Sequence, residues 1–153
     1  MKKLLITLLS LLALTFAVSS RAATATGNFN VNLTLNSTCQ INSTASGAAT
    51  ITDLAMTYTS FQTTAATSST SFNVRCTNTL PYTLALDNAS VLDNALDLTY
   101  TLSLSAGSGT GTGADQPITV NGAISPGQAG TCTTASCTNS LATNKQRTLT
   151  ITY

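Results

Sequence analysis

Apolar and polar residues alternate one by one over several short stretches of this 153-residue chain. The first clear case is GNFNVNLTLNSTC, Gly27 to Cys39, in which Phe29, Val31, Leu33 and Leu35 alternate with Asn30, Asn32 and Thr34. A strand repeats every two residues, so the four apolar side chains share one face. Ala48 to Ile51 predicts a short strand, and Asp53 to Phe61 a strand or an irregular segment. The Thr/Ser/Ala-rich run from Thr63 to Ser71 reads as a loop. From Ser71 to Cys76, Phe72, Val74 and Cys76 share a face. Pro81 marks a turn, after which Tyr82, Leu84 and Leu86 alternate. Asp87-Asn88 and Asp93-Asn94 read as further turns. Leu98, Tyr100, Leu102 and Leu104 define another strand. Ala106 to Ala114 (AGSGTGTGA) reads as a mobile Gly-rich loop. Ile118, Val120 and Gly122 continue the pattern, Ser125-Pro126-Gly127 turns it, and Leu149, Ile151 and Tyr153 share a face at the end. No segment of ten or more residues has helical periodicity. Short strands separated by turn signals predict an all-β sandwich.

The N-terminus changes how the first strand is read. Lys2 and Lys3 precede an apolar run of 15 residues, Leu4 to Val18, and Ser20-Arg21-Ala22 sets small residues around a cleavage point before Ala23. This is the pattern of a secretory signal, residues 1–22, too short for a membrane span of roughly 20 apolar residues. Removing 22 of 153 residues leaves 131, enough for one domain and one core. The alternating strand then begins within a few residues of a new N-terminus and is free to join a sheet of its own or of another chain. At the other end the sequence stops inside its last strand, so a sandwich that needs a further strand beside Tyr153 must obtain it elsewhere.

Charge excludes several partners. The chain has six basic and five acidic residues; Lys2, Lys3 and Arg21 leave with the signal, so three basic residues face five acidic ones, a net charge of −2. Nothing in that balance attracts nucleic acid or anionic membrane. Charged residues make up only 7% of the sequence, which leaves little to block edge-to-edge association of strands.

The four cysteines, Cys39, Cys76, Cys132 and Cys137, all lie in the exported part, where an even count reads as disulfides. Of three pairings, Cys39–Cys76 with Cys132–Cys137 is favoured: one bond joins two early strands and the other closes the small loop CTTASC. A metal site is the weaker reading, since there is no histidine and no CxxC pair. Catalysis has little to work with. Without histidine there is no base poised near neutral pH. No GxSxG is present, and the Gly-rich run lacks the lysine of a phosphate loop. Asp93 and Asp97 could serve as a carboxylate pair for glycoside cleavage, yet no tryptophan supplies a sugar platform. Asp87, Asp93 and Asp97 lack the spacing of a calcium loop and read as turn residues. The chain is therefore expected to be no enzyme and to carry no cofactor and no metal. Asn32, Asn36, Asn42 and Asn88 head N-x-[ST] triplets, which arise by chance in so Thr/Ser-rich a sequence.

Four stretches resemble the spore coat protein U domain family, the subunits of archaic chaperone–usher pili. They are ATGNFNVNLTLNSTCQI (Ala25 to Ile41), FNVRCTNTLPYTLALDNA (Phe72 to Ala89), ITVNGAISPGQAGT (Ile118 to Thr131) and RTLTITY (Arg147 to Tyr153). The resemblance implies an incomplete immunoglobulin-like β-sandwich that lacks one strand, with a donor-strand extension over residues 23–38 and the sandwich over residues 39–153. In such proteins the gap is filled first by a periplasmic chaperone and then, at the outer-membrane usher, by the extension of a neighbouring pilin subunit. Phe29, Val31, Leu33 and Leu35 would be the donor side chains, and Leu149, Ile151 and Tyr153 would border the acceptor groove and chaperone side. The Cys39–Cys76 pairing also fits the family. The expected function is a structural subunit of a surface pilus serving adhesion and biofilm formation, exported through the periplasm to the cell surface. The competing expectation is a secreted, self-complete β-sandwich coat or binding protein whose N-terminal strand completes its own sheet. Two departures stand out: Asn144-Lys145-Gln146-Arg147 replaces a segment that usually carries an aromatic and an acidic residue, and CTTASC is an added loop.

Overall fold

A computed structural model describes residues 22–153. The expected signal segment lies, but for Ala22, outside the described residues. The described residues form two separate units, one ending at Thr34 and one running Leu35–Tyr153.

The larger unit is all-β, and its only helical element among the described residues is a short 3₁₀ turn, Leu141–Thr143. Its strands are β1 (Cys39–Ile41), β2 (Ala66–Cys76), β3 (Pro81–Leu86), β4 (Ser90–Asp93), β5 (Leu98–Leu104), β6 (Ser108–Thr110), β7 (Gln116–Ile124) and β8 (Leu149–Thr152). A five-stranded sheet has the order β1-β2-β7-β5-β4, and a three-stranded sheet the order β6-β3-β8. All pairings are antiparallel. Strict alternation sets the layers. Phe72, Val74 and Cys76 of β2, Tyr82 and Leu84 of β3, Tyr100 and Leu102 of β5, and Ile118, Val120 and Ile124 of β7 are buried in one cluster drawn from both sheets. Their Ser, Thr and Asn neighbours face outward, as expected of a sheet with one wet face.

Three sequence expectations change. The run Thr63 to Ser71 is not all loop, because β2 begins at Ala66 and pairs with β7 from Ala66↔Ile124 onward. Ser and Thr there alternate between faces as apolar residues would, so pairing with a long neighbour overrides weak local preference. The Gly-rich run 106–114 holds β6, paired to β3 through Pro81↔Thr110, Tyr82↔Gly109 and Thr83↔Ser108. Its glycines serve close approach as well as turning. A Cβ on Gly111 would run into the Thr77 carbonyl oxygen and meet Cys76 Cβ at 2.7 Å. Finally, no strand forms over Ala48–Ile51 or among the described residues before Cys39, whereas Asp53–Phe61 takes the irregular one of its two expected forms.

Candidate functional site

Two runs of backbone feed the core yet lack sheet partners. The first is the outer edge of β8. Thr152, Ile151, Thr150 and Leu149 pair with Thr83 to Leu86 of β3, and β8 ends the three-stranded sheet. Leu149 and Ile151 are half-buried against the core, whereas Tyr153, expected on the same face, lies exposed just past the strand. The second run follows β1. Asn42 and Ser43 adopt left-handed φ values of 45° and 68° and turn the chain sharply, a conformation Asn tolerates better than most residues. The chain bends again over residues 45–47, with Gly47 at φ 85°, and then runs to Tyr58 without regular structure, while Ala49, Ile51, Leu54, Met56 and Tyr58 pack half-buried on the core. Gly122 on the inner face of β7 makes room: a Cβ there would come within 2.9 Å of Leu54 and 3.1 Å of Met56.

The backbone of this second run is poorly satisfied. Among the described residues, no backbone–backbone hydrogen bond involves residues 45–58. Two carbonyls are met by side chains instead: Asn42 Nδ2 donates to Thr50 O (2.8 Å) and Thr70 Oγ1 to Thr52 O (2.9 Å). The chain then anchors at the opposite end of the sheet, where Gln128 N donates to the Tyr58 hydroxyl (2.8 Å). Unpaired backbone beside half-buried apolar side chains is the local condition for accepting an added strand, since one strand supplies hydrogen bonds and core contacts together.

Thr38 and Cys39, near the start of the larger unit, are held firmly. Cys39 lies opposite Cys76 in the β1–β2 register, and the two are disulfide-bonded. Thr38 N donates to Thr77 Oγ1 and Thr77 N to Thr38 O, each at 3.0 Å. The Thr38 and Tyr153 hydroxyls are 3.4 Å apart. The N-terminal exit and the end of β8 therefore sit side by side. The second disulfide, Cys132–Cys137, closes an exposed loop, so the favoured pairing is the one formed. Phe29, Val31, Leu33 and Leu35 are all highly exposed, between 70% and 89%, and belong to no strand. Their alternation is strand-like, but a strand is defined by its partner edge.

The remaining polar groups do structural work. Asp93 is 2% exposed, and its Oδ1 accepts from Ala95 N (3.1 Å) and Leu96 N (3.0 Å), closing the turn after β4. The atypical segment Asn144-Lys145-Gln146-Arg147 docks beside it. Asn144 Nδ2 donates to Leu92 O, the Tyr100 hydroxyl donates to Asn144 O at 2.8 Å, and Arg147 pairs with Asp87 at 3.3 Å. Burial pushes the Tyr100 hydroxyl above the ordinary tyrosine value; Arg147 opposes this, and Asp93 and Asp87 reinforce it. Among the described residues no group of three or more acidic or cysteine side chains could hold a metal. A shallow depression of about 550 Å³ on the five-stranded sheet is lined by Thr67, Ser69, Thr101, Ser103 and Asn121, among others, with no charged group. No helix of the described residues is long and apolar enough to cross a membrane.

Sequence reasoning found β8 and the disulfides but missed the 45–58 segment as a second open edge. Its signal was present in the spacing of Ala49, Ile51, Leu54, Met56 and Tyr58, interrupted at Thr52-Asp53 where the alternation slips by one residue. No curated protein and no solved structure matches the chain. Residues 25–100, which take in β1 to β4 and the start of β5, match the family model of the Spore Coat Protein U domain, and the chain belongs to that family, the pilin domain of archaic chaperone–usher systems.

Proposed function

We propose that this chain is a pilus subunit assembled by strand donation: the extension of one copy fills the open edge of the next. The family is one of structural pilin and coat domains at the cell surface, not of enzymes. The observation that carries the reading is the pairing of opposites within one chain. Four exposed apolar residues alternate before Thr38, while β8 and residues 45–58 leave backbone unpaired beside the same core. Phe29, Val31, Leu33 and Leu35 would descend between Leu149, Ile151 and Tyr153 on one side and Ile51, Leu54 and Met56 on the other. Burying four such side chains at roughly 1.5 to 3 kcal/mol each gains about 6 to 12 kcal/mol before ordering costs. A one-residue slip would turn all four outward, so register is sharply set.

In this reading residues 1–22 direct export, 23–38 are the donor extension and 39–153 the acceptor domain. A periplasmic chaperone occupies the open edge before assembly at an outer-membrane usher, and the fibre serves adhesion and biofilm formation. Each copy gives one strand and takes one, so the contact is head-to-tail and does not close on itself. The test is electrophoresis of sheared cell-surface material in detergent, unboiled against boiled. A ladder at multiples of the mature subunit that collapses to monomer on boiling supports strand exchange. Plentiful protein running as monomer in both lanes would sink it and favour the self-complete secreted sandwich.

A further inference from the structure

We infer that Phe61 makes a second contact between consecutive subunits, packing on the end of the neighbouring copy that carries Thr38 and Tyr153. The inference rests on the strand-exchange reading above. Phe61 is 70% exposed and has a left-handed φ of 62°. A bulky residue there is strained, and Gly or Asn would sit more easily. Such strain persists only where the surroundings over-determine it, and here they do. Phe61 N donates to Gln128 O (2.9 Å), Gln62 N to Thr59 O (3.1 Å) and Gly127 N to Gln62 O (2.9 Å). The Gln62 amide accepts from Thr59 N (2.9 Å) and donates to Thr64 O (2.7 Å). Gln128 in turn clamps the start of β5, accepting from Thr99 N at 2.7 Å and donating to Thr99 O at 2.9 Å. The result is an aromatic ring held out into solvent on a rigid base, the kind of pre-ordered side chain that anchors interfaces.

Position in the fold selects the occupant. The Phe61 loop is tied to Gln128 and lies at the end of the five-stranded sheet where Ala66 pairs with Ile124. Thr38 and Tyr153 lie at the other end, bonded beside Thr77 just past Cys76. The 11 residues of β2 separate them, about 33 Å at roughly 3.3 Å per residue. An extension lying antiparallel to β8 of the next copy places its Leu35 by that copy's Leu149, at the Phe61 end. Three residues further on is its own Thr38, within about 10 Å of chain. Head-to-tail addition therefore brings the Phe61 end of one copy against the Thr38–Tyr153 end of the other, and Tyr153 is the exposed aromatic waiting there.

The test compares fibres of the full chain with those of Phe61→Gly and Phe61→Asn. Both substitutions relieve the left-handed strain, so neither carries a folding penalty at this position. The expected result is an unchanged detergent-resistant ladder together with more flexible fibres in electron micrographs. Loss of one aromatic contact should lower the docked-to-undocked ratio at each junction roughly 2- to 10-fold. Wild-type bending and helical order in both variants would overturn the contact. A change confined to side-by-side bundling would overturn it too, because the ring would then face a lateral fibre. Absence of any ladder in the wild type would instead remove the strand-exchange reading beneath it, a distinct outcome.

Discussion

Leu33→Ala separates strand donation from every reading in which the N-terminal segment is a passive tail. Leu33 is 89% exposed, so an isolated subunit loses no core contact when it is truncated. Its melting temperature should not move beyond the scatter of ordinary surface substitutions, within about 0.5 kcal/mol. Once the segment fills an acceptor edge, the same side chain is buried, and Leu→Ala at a buried site costs about 2 to 5 kcal/mol. Even the lower figure speeds dissociation roughly 30-fold if the loss falls on the bound state. Asn32 is the internal control: it neighbours Leu33 but points to the opposite face of an extended chain, so Asn32→Ala should leave dissociation nearly unchanged. The assay is the decay of the dimer band when unboiled fibres are held in detergent at a series of temperatures. Equal decay for Leu33→Ala, Asn32→Ala and wild type would refute the reasoning, as would a lowered melting temperature for the Leu33→Ala subunit alone.

Further expectations concern the acceptor domain. Removing Cys39–Cys76, which spans 37 residues of sequence, should cost about 4 kcal/mol on the chain-entropy model. The Cys132–Cys137 bond, spanning 5 residues in an exposed loop, should cost about half that or less; thermal unfolding of the two double alanine variants ranks them. Gly111→Ala should destabilise by about 1 to 3 kcal/mol through overpacking against Thr77 and Cys76, whereas Gly113→Ala meets no neighbour within 4 Å and strains only its φ of 75°, so it should cost less in the same melts. Tyr100 predicts an alkaline effect. Its folded-state pKa is raised by burial, so the unfolded chain ionises first as pH passes about 10; the stability held below that pH is lost as pH climbs toward the folded value. Tyr100→Phe should flatten this alkaline loss in denaturant titrations while giving up the hydrogen bond to Asn144 O.

Where side chains alternate against a large apolar face, the sequence alone located the strands. Phe72-Val74-Cys76, Tyr82-Leu84 and Leu98-Tyr100-Leu102-Leu104 all fall in strands as their period demands. The misses have specific causes. The polar first half of β2 carries no hydrophobic period, and only the length of its partner β7 draws Ala66 to Ser71 into the sheet. Glycine in and just after β6 signals looseness to a reader of composition, but the Thr77 carbonyl lies so close to Gly111, the residue after the strand, that nothing larger fits. Phe29 to Leu35 has the best alternation in the chain and forms no strand, because periodicity reports a face to be buried and says nothing of the edge that will bury it.

The donor-strand reading also accounts for why polymerisation should win over self-closure. Thr38 sits beside Tyr153, at the end toward which β8 runs. A segment attached at Thr38 that folded back along its own β8 would travel N-to-C in the same direction as β8, a parallel pairing closed by the three residues Asn36-Ser37-Thr38. The extension of a second copy carries no such tether and can lie antiparallel, where hydrogen bonds run perpendicular to the strands and pairing is slightly stronger per residue. Self-closure has the advantage of a high effective concentration, but it must bend a short turn around a Thr38 already committed to Thr77 through both its N–H and its C=O. That anchoring makes the intramolecular turn the strained alternative. The Thr38–Thr77 bonds and the Cys39–Cys76 bridge would thus act in assembly as well as in stability, by disfavouring the return of each extension to its own open edge.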